Sequence, residues 1–359
     1  MIDLAALGWG DREEALFAAH AAAGLRPGRV LVEHRGSYAV QAAEGELAAN
    51  VSGRLRHDAD SAEDFPAVGD WVGMTVTDAQ ATVIHAVLPR RSRFARSARG
   101  DLPGAQVVAA NVDIVLVVAA LDGDFNVRRL ERFLALAWSS GAQPVVALNK
   151  ADACDDVPGH LLAVQSVAPS VSIHVLSALN GTGIEAIRGM LRPGLTVALL
   201  GSSGVGKSTL VNALLGWQRQ RTAEVRPDDQ RGRHTTTMRE LLVMPGGALL
   251  IDSPGMRSVG MWEADEGIGN AFADVEAVAA DCRFSDCAHS REPGCAVQSA
   301  ITAGTLSADR LESLRKLQSE LDALERRRTP EARAVARRRG KMIGKAVRSH
   351  MRAKYGEGG

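Results

Sequence analysis

The sequence predicts a mainly parallel α/β domain organised around a phosphate-binding loop, with a small β-barrel before it and a short helical, metal-knuckle module after it. Three stretches predict this. Leu195–Thr209, Leu-Thr-Val-Ala-Leu-Leu-Gly-Ser-Ser-Gly-Val-Gly-Lys-Ser-Thr, runs from an apolar strand through a Gly-rich turn into a helix opening at Leu210. Residues 29–88 hold five short β-like runs punctuated by glycines. Residues 282–295 bring three of the four cysteines together with a histidine.

Composition sets the outer limits. The chain has 359 residues, room for roughly two or three domains. It is 46% hydrophobic and 23% charged, an ordinary globular balance. Lys+Arg and Asp+Glu both total 42, so overall charge indicates no partner, although its distribution does. No apolar run reaches the length of a membrane span. The first residues carry Asp3, Asp11, Arg12, Glu13 and Glu14 and do not read as a signal peptide, so a cytoplasmic location without membrane contact is expected. In that reducing compartment the grouped cysteines point to metal rather than to a disulfide. Cys154, standing apart, reads as an inert core thiol.

Residues 1–28 read as a helical lead, with Asp11 as its N-cap and Leu16, Phe17 and Ala21 on one face, ended by Gly24–Gly28. The runs Arg29–Glu33, Ser37–Gln41, Glu46–Val51, Asp70–Val76 and Ala81–Val87 then suggest a closed barrel, most simply an OB-fold. Such barrels often bind oligonucleotides, but two tyrosines in the whole chain leave few stacking platforms, so a structural or protein-docking barrel is equally compatible. Pro89–Gly100 reads as a basic link, with Arg90, Arg91, Arg93, Arg96 and Arg99 and no acid; phosphate contact is favoured over a plain solvated linker. The barrel and link together are expected over 29–98. From Val107 strand and helix alternate. Strands are expected at Asp113–Val118, Pro144–Leu148, Val171–Leu176 and Leu195–Leu200, an amphipathic helix at Asn126–Ser139, and a hairpin from Glu240–Met244 and Ala248–Ile251. This domain is expected over 99–260.

Gly201, Gly206, Lys207 and Ser208 fit the G-x-x-x-x-G-K-[ST] pattern. Its glycines let backbone N–H groups curl toward phosphate oxygens, and the following helix adds its positive end. Lys207 is assigned to the β- and γ-phosphates and Ser208 to Mg²⁺; Ser202, Ser203, Gly204, Val205 and Thr209 complete the cradle. Asn149-Lys150-Ala151-Asp152 ends an earlier strand and matches N-K-x-D. The Asp152 carboxylate can accept both the N1–H and the exocyclic amine of guanine. Adenine lacks that donor pair and would leave the carboxylate unpartnered. Asn149 and the stem of Lys150 brace this pocket, and Ser177-Ala178-Leu179 matches the S-A-x turn that offers a backbone N–H to guanine O6. The nucleotide is therefore GTP or GDP.

Gly232–Thr237 resembles a first switch, in which Thr235 or, preferably, Thr236 ligates Mg²⁺. Asp252-Ser-Pro-Gly255 matches D-x-x-G, with Asp252 holding Mg²⁺ through water and the Gly255 N–H sensing the γ-phosphate. Met256 stands where many GTPases carry a water-orienting glutamine, and an apolar side chain cannot hydrogen-bond water. Slow intrinsic hydrolysis, accelerated by a partner, is expected. His234 is the nearest candidate to position water, an ordinary loop role being its alternative. N-K-x-D and S-A-x precede the phosphate loop here, so the motif order is rotated. A circular permutation keeps the fold if the old termini are close, and it sends the chain from the second switch directly into the C-terminal module.

Cys282-x4-Cys287-x-His289-x5-Cys295 offers a full tetrahedral zinc set with no open position, hence a structural ion that staples a small module over 261–325. Leu311, Leu314, Leu317, Leu321 and Leu324 mark one helix face after Ser307, read as packing within this module rather than a dimer seam, so a monomer is expected. From Arg326 to the end, twelve Lys and Arg residues oppose Glu331 and Glu357. A 326–359 tail of this sign is expected to seek a polyanion, RNA above all, with a merely solvated tail as the alternative.

The whole set resembles the ribosome small-subunit-dependent GTPase A family (RsgA, also called YjeQ). The resemblance covers about residues 4 to 325 and is carried by Pro27-Gly-Arg-Val, Pro66-Ala-Val-Gly-Asp-Trp, Ala109-Ala-Asn-Val-Asp, the nucleotide motifs in rotated order and the zinc quartet. It implies a circularly permuted α/β P-loop GTPase with an N-terminal OB-fold β-barrel and a C-terminal helical zinc-binding module. It implies a factor that binds the small (30S) ribosomal subunit and its 16S rRNA and hydrolyses GTP when docked, late in subunit assembly. The Arg-rich tail is longer than the family pattern. A GTPase acting on another RNA or protein, such as a tRNA-linked factor, and a GTP-gated RNA-binding module are the alternative functions.

Overall fold

A computed structural model describes residues 3–34, 36–76, 82–97, 105–216, 239–252 and 265–328. The lead forms α1 (Asp11–Ala22), with Gly10 rather than Asp11 at the N-cap and Phe17 buried. Five strands follow: β1 (Arg26–His34), β2 (Ser37–Ala42), β3 (Gly45–Val51), β4 (Trp71–Val76) and β5 (Thr82–Val87). A short α2 (Gly53–Asp58), capped by Ser52, sits between β3 and β4. β1 pairs antiparallel with both β2 and β4, β2 with β3 and β4 with β5, and a parallel β3–β5 contact closes the ring. The barrel is filled by Val30, Val40, Val72, Met74 and Ile84. It closes tightly at Gly28, where a Cβ would stand 2.5 Å from Val40 and 2.8 Å from Met74.

The expected basic link is not a linker. Its second half is β6 (Arg93–Ser97), paired antiparallel with β7 (Ala105–Ala110). Arg90 grips the buried Asp70 with two bonds of 2.7 and 2.8 Å. Arg91 meets Asp113 at 2.8 Å, Arg93 meets Glu63 at 3.4 Å, and Arg96 donates to Gln106 at 3.0 Å. The acids that answer Arg90, Arg91 and Arg93 lie elsewhere in the chain, so the local run looked unpaired. Arg99 lies outside the described residues.

The second layer system comprises β8 (Ile114–Ala120), α3 (Val127–Ser139), β9 (Gln143–Asn149), α4 (Val157–Val167), β10 (Ser172–Val175), α5 (Ile184–Met190), β11 (Thr196–Leu200), α6 (Lys207–Leu215), β12 (Arg239–Val243) and β13 (Leu249–Asp252). The sheet order is β10-β9-β8-β11-β13-β12. The first five strands are parallel and β12 runs antiparallel to β13. Helices cover both faces, which explains the near-continuous apolar reading of β8, β9 and β11. The outer edge of β12 pairs antiparallel with β1, Val32 opposite Glu240 and Glu33 opposite Arg239, with an Arg239–Glu33 ion pair at 2.6 Å. One sheet therefore continues into the barrel. Arg29, wholly buried, donates to the carbonyls of Leu7 and Gly69 and, at 2.7 Å, to Thr196 Oγ1, tying lead, barrel and β11 together. Burial pulls its guanidinium down to about 10, still charged at neutral pH.

The C-terminal module is α7 (Asp265–Ala271), α8 (Ala273–Ala279), α9 (Ala296–Thr302) and α10 (Ala308–Arg328). α7 lies directly on α3, where a Cβ at Gly267 would fall 2.4 Å from the Ala135 carbonyl oxygen. Leu311, Leu314, Leu317 and Leu321 are buried in one core with Leu130 and Leu134 of α3. The leucine stripe thus packs within the chain; the Leu324 side chain and the tail beyond residue 328 lie outside the described residues. Among the described residues no helix is long and apolar enough to cross a membrane.

Candidate functional site

Three loops meet at the carboxyl ends of β9, β10 and β11, the end at which parallel α/β sheets bind ligands. The phosphate loop leaves β11 through Gly201 (φ +148°), where a Cβ would sit 2.3 Å from the Val118 carbonyl oxygen, and enters α6 through Gly206 (φ +90°). Lys207 Nζ donates to the carbonyls of Gly201, at 2.7 Å, and Ser202. Ser208 and Thr209 occupy the first turn of α6, half-buried. Ser203 and Gly204 are exposed and Val205 is buried at the loop's inner side.

One side chain joins this loop to the two others. Asn149, at the end of β9, donates from Nδ2 to the Val205 carbonyl at 2.9 Å and accepts at Oδ1 from the Ala178 N–H at 2.9 Å. Gly206 is packed against the same amide: a Cβ there would stand 2.3 Å from Asn149 Nδ2. Lys150 follows with φ +64°, and Asp152 lies exposed in a single 3-10 turn, Ala151–Ala153. Buried Ser177 shapes the third loop, its Oγ accepting from Asn180 N–H at 3.3 Å and its carbonyl from Gly181 N–H at 2.9 Å. Asp152 and Lys207, 55 positions apart in inverted order, therefore belong to loops tied to each other at one edge of one sheet.

A fourth loop, after β8, was not singled out in the sequence. Asp122 accepts from Lys150 Nζ at 2.7 Å. Asp124 takes two bonds from Arg129, of 2.6 and 2.9 Å, and Arg129 Nη1 reaches Ser202 Oγ at 3.1 Å. Burial raises the Asp122 carboxyl, but the hydrogen bond from Lys150, the Asp124 N–H and the Lys150 charge outweigh it and hold it below the ordinary carboxylate range. The only advance signal was position, since an Asp-Gly-Asp turn at the carboxyl end of a parallel strand also reads as a plain loop. Asp252 ends β13 at the same side of the sheet, opposite Glu240. His234, Thr235, Thr236, Gly255 and Met256 lie outside the described residues.

The second site is the metal-ligand cluster. The ligand atoms of Cys282, Cys287, His289 and Cys295 all lie within 4.8 Å of one another. His289 Nδ1 is 3.6 Å from the sulfurs of both Cys282 and Cys295, which are 3.9 Å apart. A zinc ion with bonds of about 2.3 Å to sulfur needs tetrahedral edges of about 3.8 Å, so the donor set fits zinc. Burial raises the Cys282 thiol, but the backbone N–H groups of Val297 and Ala296 at the start of α9 bring it below its usual value. His289 stands at φ +56°, and its carbonyl accepts from Arg315 Nη2 at 2.8 Å, so α10 holds the knuckle in place. Cys154 is half-buried, its sulfur 3.7 Å from His160 Nδ1.

The strand order and the loops it brings together are those of a circularly permuted GTPase fold. The family model described as RsgA GTPase matches residues 87–262, and the small ribosomal subunit biogenesis GTPase RsgA of Opitutus terrae is 46% identical over 97% of this chain and 98% of that one. The chain belongs to the RsgA GTPase family. The protein of the same name from Streptomyces coelicolor is 42% identical over 98% of this chain and 96% of its own. The crystal structure of YjeQ from Thermotoga maritima matches with a TM-score of 0.63 at 26% identity, covering 83% of this chain and 98% of that chain.

Proposed function

We propose that this protein binds the small ribosomal subunit and hydrolyses GTP when docked there, late in subunit assembly. The observation that carries the nucleotide part is the Asn149 amide, which links the N-K-x-D, S-A-x and phosphate loops. That linkage supports one guanine nucleotide spanning Asp152 and Lys207. Asp152 reads the guanine edge, the Ala178 loop faces O6, and the backbone of Gly201 to Lys207 with the Lys207 ammonium holds the phosphates. Ser208, Asp252 and Thr236 (or Thr235) are the residues that would hold Mg²⁺, which when bound neutralises charge on the β- and γ-phosphates. The Gly255 N–H senses the γ-phosphate, and His234 orients the attacking water in place of the glutamine that Met256 replaces. The zinc quartet is structural.

The ribosomal part rests on relatives named small ribosomal subunit biogenesis GTPase that align along nearly the whole chain. Contact with 16S rRNA, a monomeric state and a cytoplasmic location belong to the same reading. Since Arg90, Arg91, Arg93 and Arg96 are engaged within the protein, the Arg-rich stretch from Arg326 is the stronger candidate for rRNA phosphates. The test is GTP turnover alone, with isolated small subunits and with tRNA. Small subunits are expected to accelerate turnover at least tenfold, an effect on the order of 1.4 kcal/mol or more in barrier, and tRNA to leave it unchanged. Equal turnover in all three would overturn the ribosomal assignment.

A further inference from the structure

We infer that Asp122 is a positioning residue of the guanine site, holding the Lys150 ammonium away from Asp152 and thereby setting how long the nucleotide stays bound. The inference rests on the guanine-site reading above and adds to it a residue outside the nucleotide motifs. Asp122 lies just past β8, and its carboxylate is fixed at both oxygens. Oδ1 accepts the Asp124 N–H at 3.1 Å and Oδ2 accepts Lys150 Nζ at 2.7 Å. The backbone reinforces the contact, because the Leu121 N–H donates to the Asn149 carbonyl at 2.8 Å. The far end of the same loop is anchored as well, through Asp124, Arg129 and the phosphate-loop hydroxyl of Ser202. The loop therefore spans from the guanine-reading turn to the phosphate cradle.

The chemistry follows from Lys150 and Asp152 standing two positions apart in one turn. Asp152 must accept two guanine donors, and an ammonium within reach competes for its oxygens. Asp122 gives that ammonium another carboxylate and keeps the lysine stem where it can line the pocket. The pair is about one-third exposed on both sides, so its loss should alter ligand release more than folding.

Release of fluorescently labelled GDP, followed by stopped flow, tests this in the full-length protein. Asp122→Asn is expected to speed release about three- to fivefold, the range of a partly exposed ion pair, with an unchanged melting temperature. Asp122→Glu, which keeps the charge, is expected to restore slow release. In the double variant with Lys150→Ala, release should be no faster than in Lys150→Ala alone, because Asp122 acts through that lysine. Unchanged release in Asp122→Asn, or an effect that multiplies with Lys150→Ala, would overturn the inference. Should Asp122→Asn fail to fold, Asp122→Ser is measured by the same criteria. Absence of GDP binding by the unmodified protein would instead remove the guanine-site reading itself.

Discussion

Asn149 uses both ends of its amide inside the protein, and Gly206 leaves room for it. A Gly206→Ala change places a methyl at 2.3 Å from Asn149 Nδ2 and holds an L-residue at φ +90°. The backbone penalty alone is about 1–2 kcal/mol, and the displaced amide releases the Ala178 N–H. Calorimetry is expected to find GDP affinity lowered more than tenfold, while circular dichroism still reports a folded chain. Acid acts on a different residue. The Asp122 carboxyl is held below its ordinary value, so its link to Lys150 is complete above the unperturbed carboxylate pKa of about 3.9 and is lost as pH falls through the lower folded value. GDP release should therefore stay flat from neutral pH down to about 4 and quicken only below it; quickening already near pH 6 would implicate another group. The loops that end β9, β10 and β11 could be placed in advance because each carries a local pattern directly after an apolar strand. Asp122 could not, since its partner lies 28 positions away and nothing in Asp-Gly-Asp distinguishes a positioning carboxylate from a solvated turn.

At the scale of elements, α3 carries the C-terminal module. Arg310 of α10 is buried and donates to Glu131 of α3 at 2.5 Å, to Asp274 at 2.8 and 3.0 Å and to the Ala271 carbonyl, with Phe272 beneath its guanidinium at 4.1 Å. Glu131 Oε2 has no hydrogen-bond partner, so this acid depends on Arg310 for its neutralisation. Arg310→Ala would leave a buried carboxylate uncompensated, a cost of about 3–5 kcal/mol, read as a lower urea midpoint and earlier proteolysis between α7 and α10. The Cys282–Cys287–His289–Cys295 cluster, which fits zinc, offers a test of the same module from its other end. A chelator is expected to expose 282–295 to thiol-modifying reagents and to leave GDP binding intact, because the knuckle shares no residue with the nucleotide loops. The leucine face of α10 was visible from its spacing. The partner of Arg310 was not, because an arginine beside a leucine stripe ordinarily faces water. Arg90 and Arg91 misled in the same way, their acids being supplied by Asp70 just before β4, by Asp113 just before β8 and by Glu13 of α1.

Across the whole molecule, the barrel, the permuted sheet and the C-terminal helical module with its Cys3His cluster form a continuous body, and sequence reasoning reached each of them while missing how they join. Strand periodicity gives no information about which edge of one sheet meets another. The joint is the β1–β12 pairing with its Arg239–Glu33 bridge. Glu33→Ala is expected to lower stability by roughly 1 kcal/mol, as for a partly shielded ion pair, and a double-mutant cycle with Arg239→Ala should recover most of that as coupling.

Arg239–Val243 has one neighbour inside the nucleotide-binding sheet and one in the barrel. A gene fragment trimmed to the GTPase half alone would present that strand's outer N–H and C=O groups to other molecules, an invitation to aggregate. Recombination could not discard the barrel without supplying a new cover for that edge. The two halves are thus bound to be inherited together.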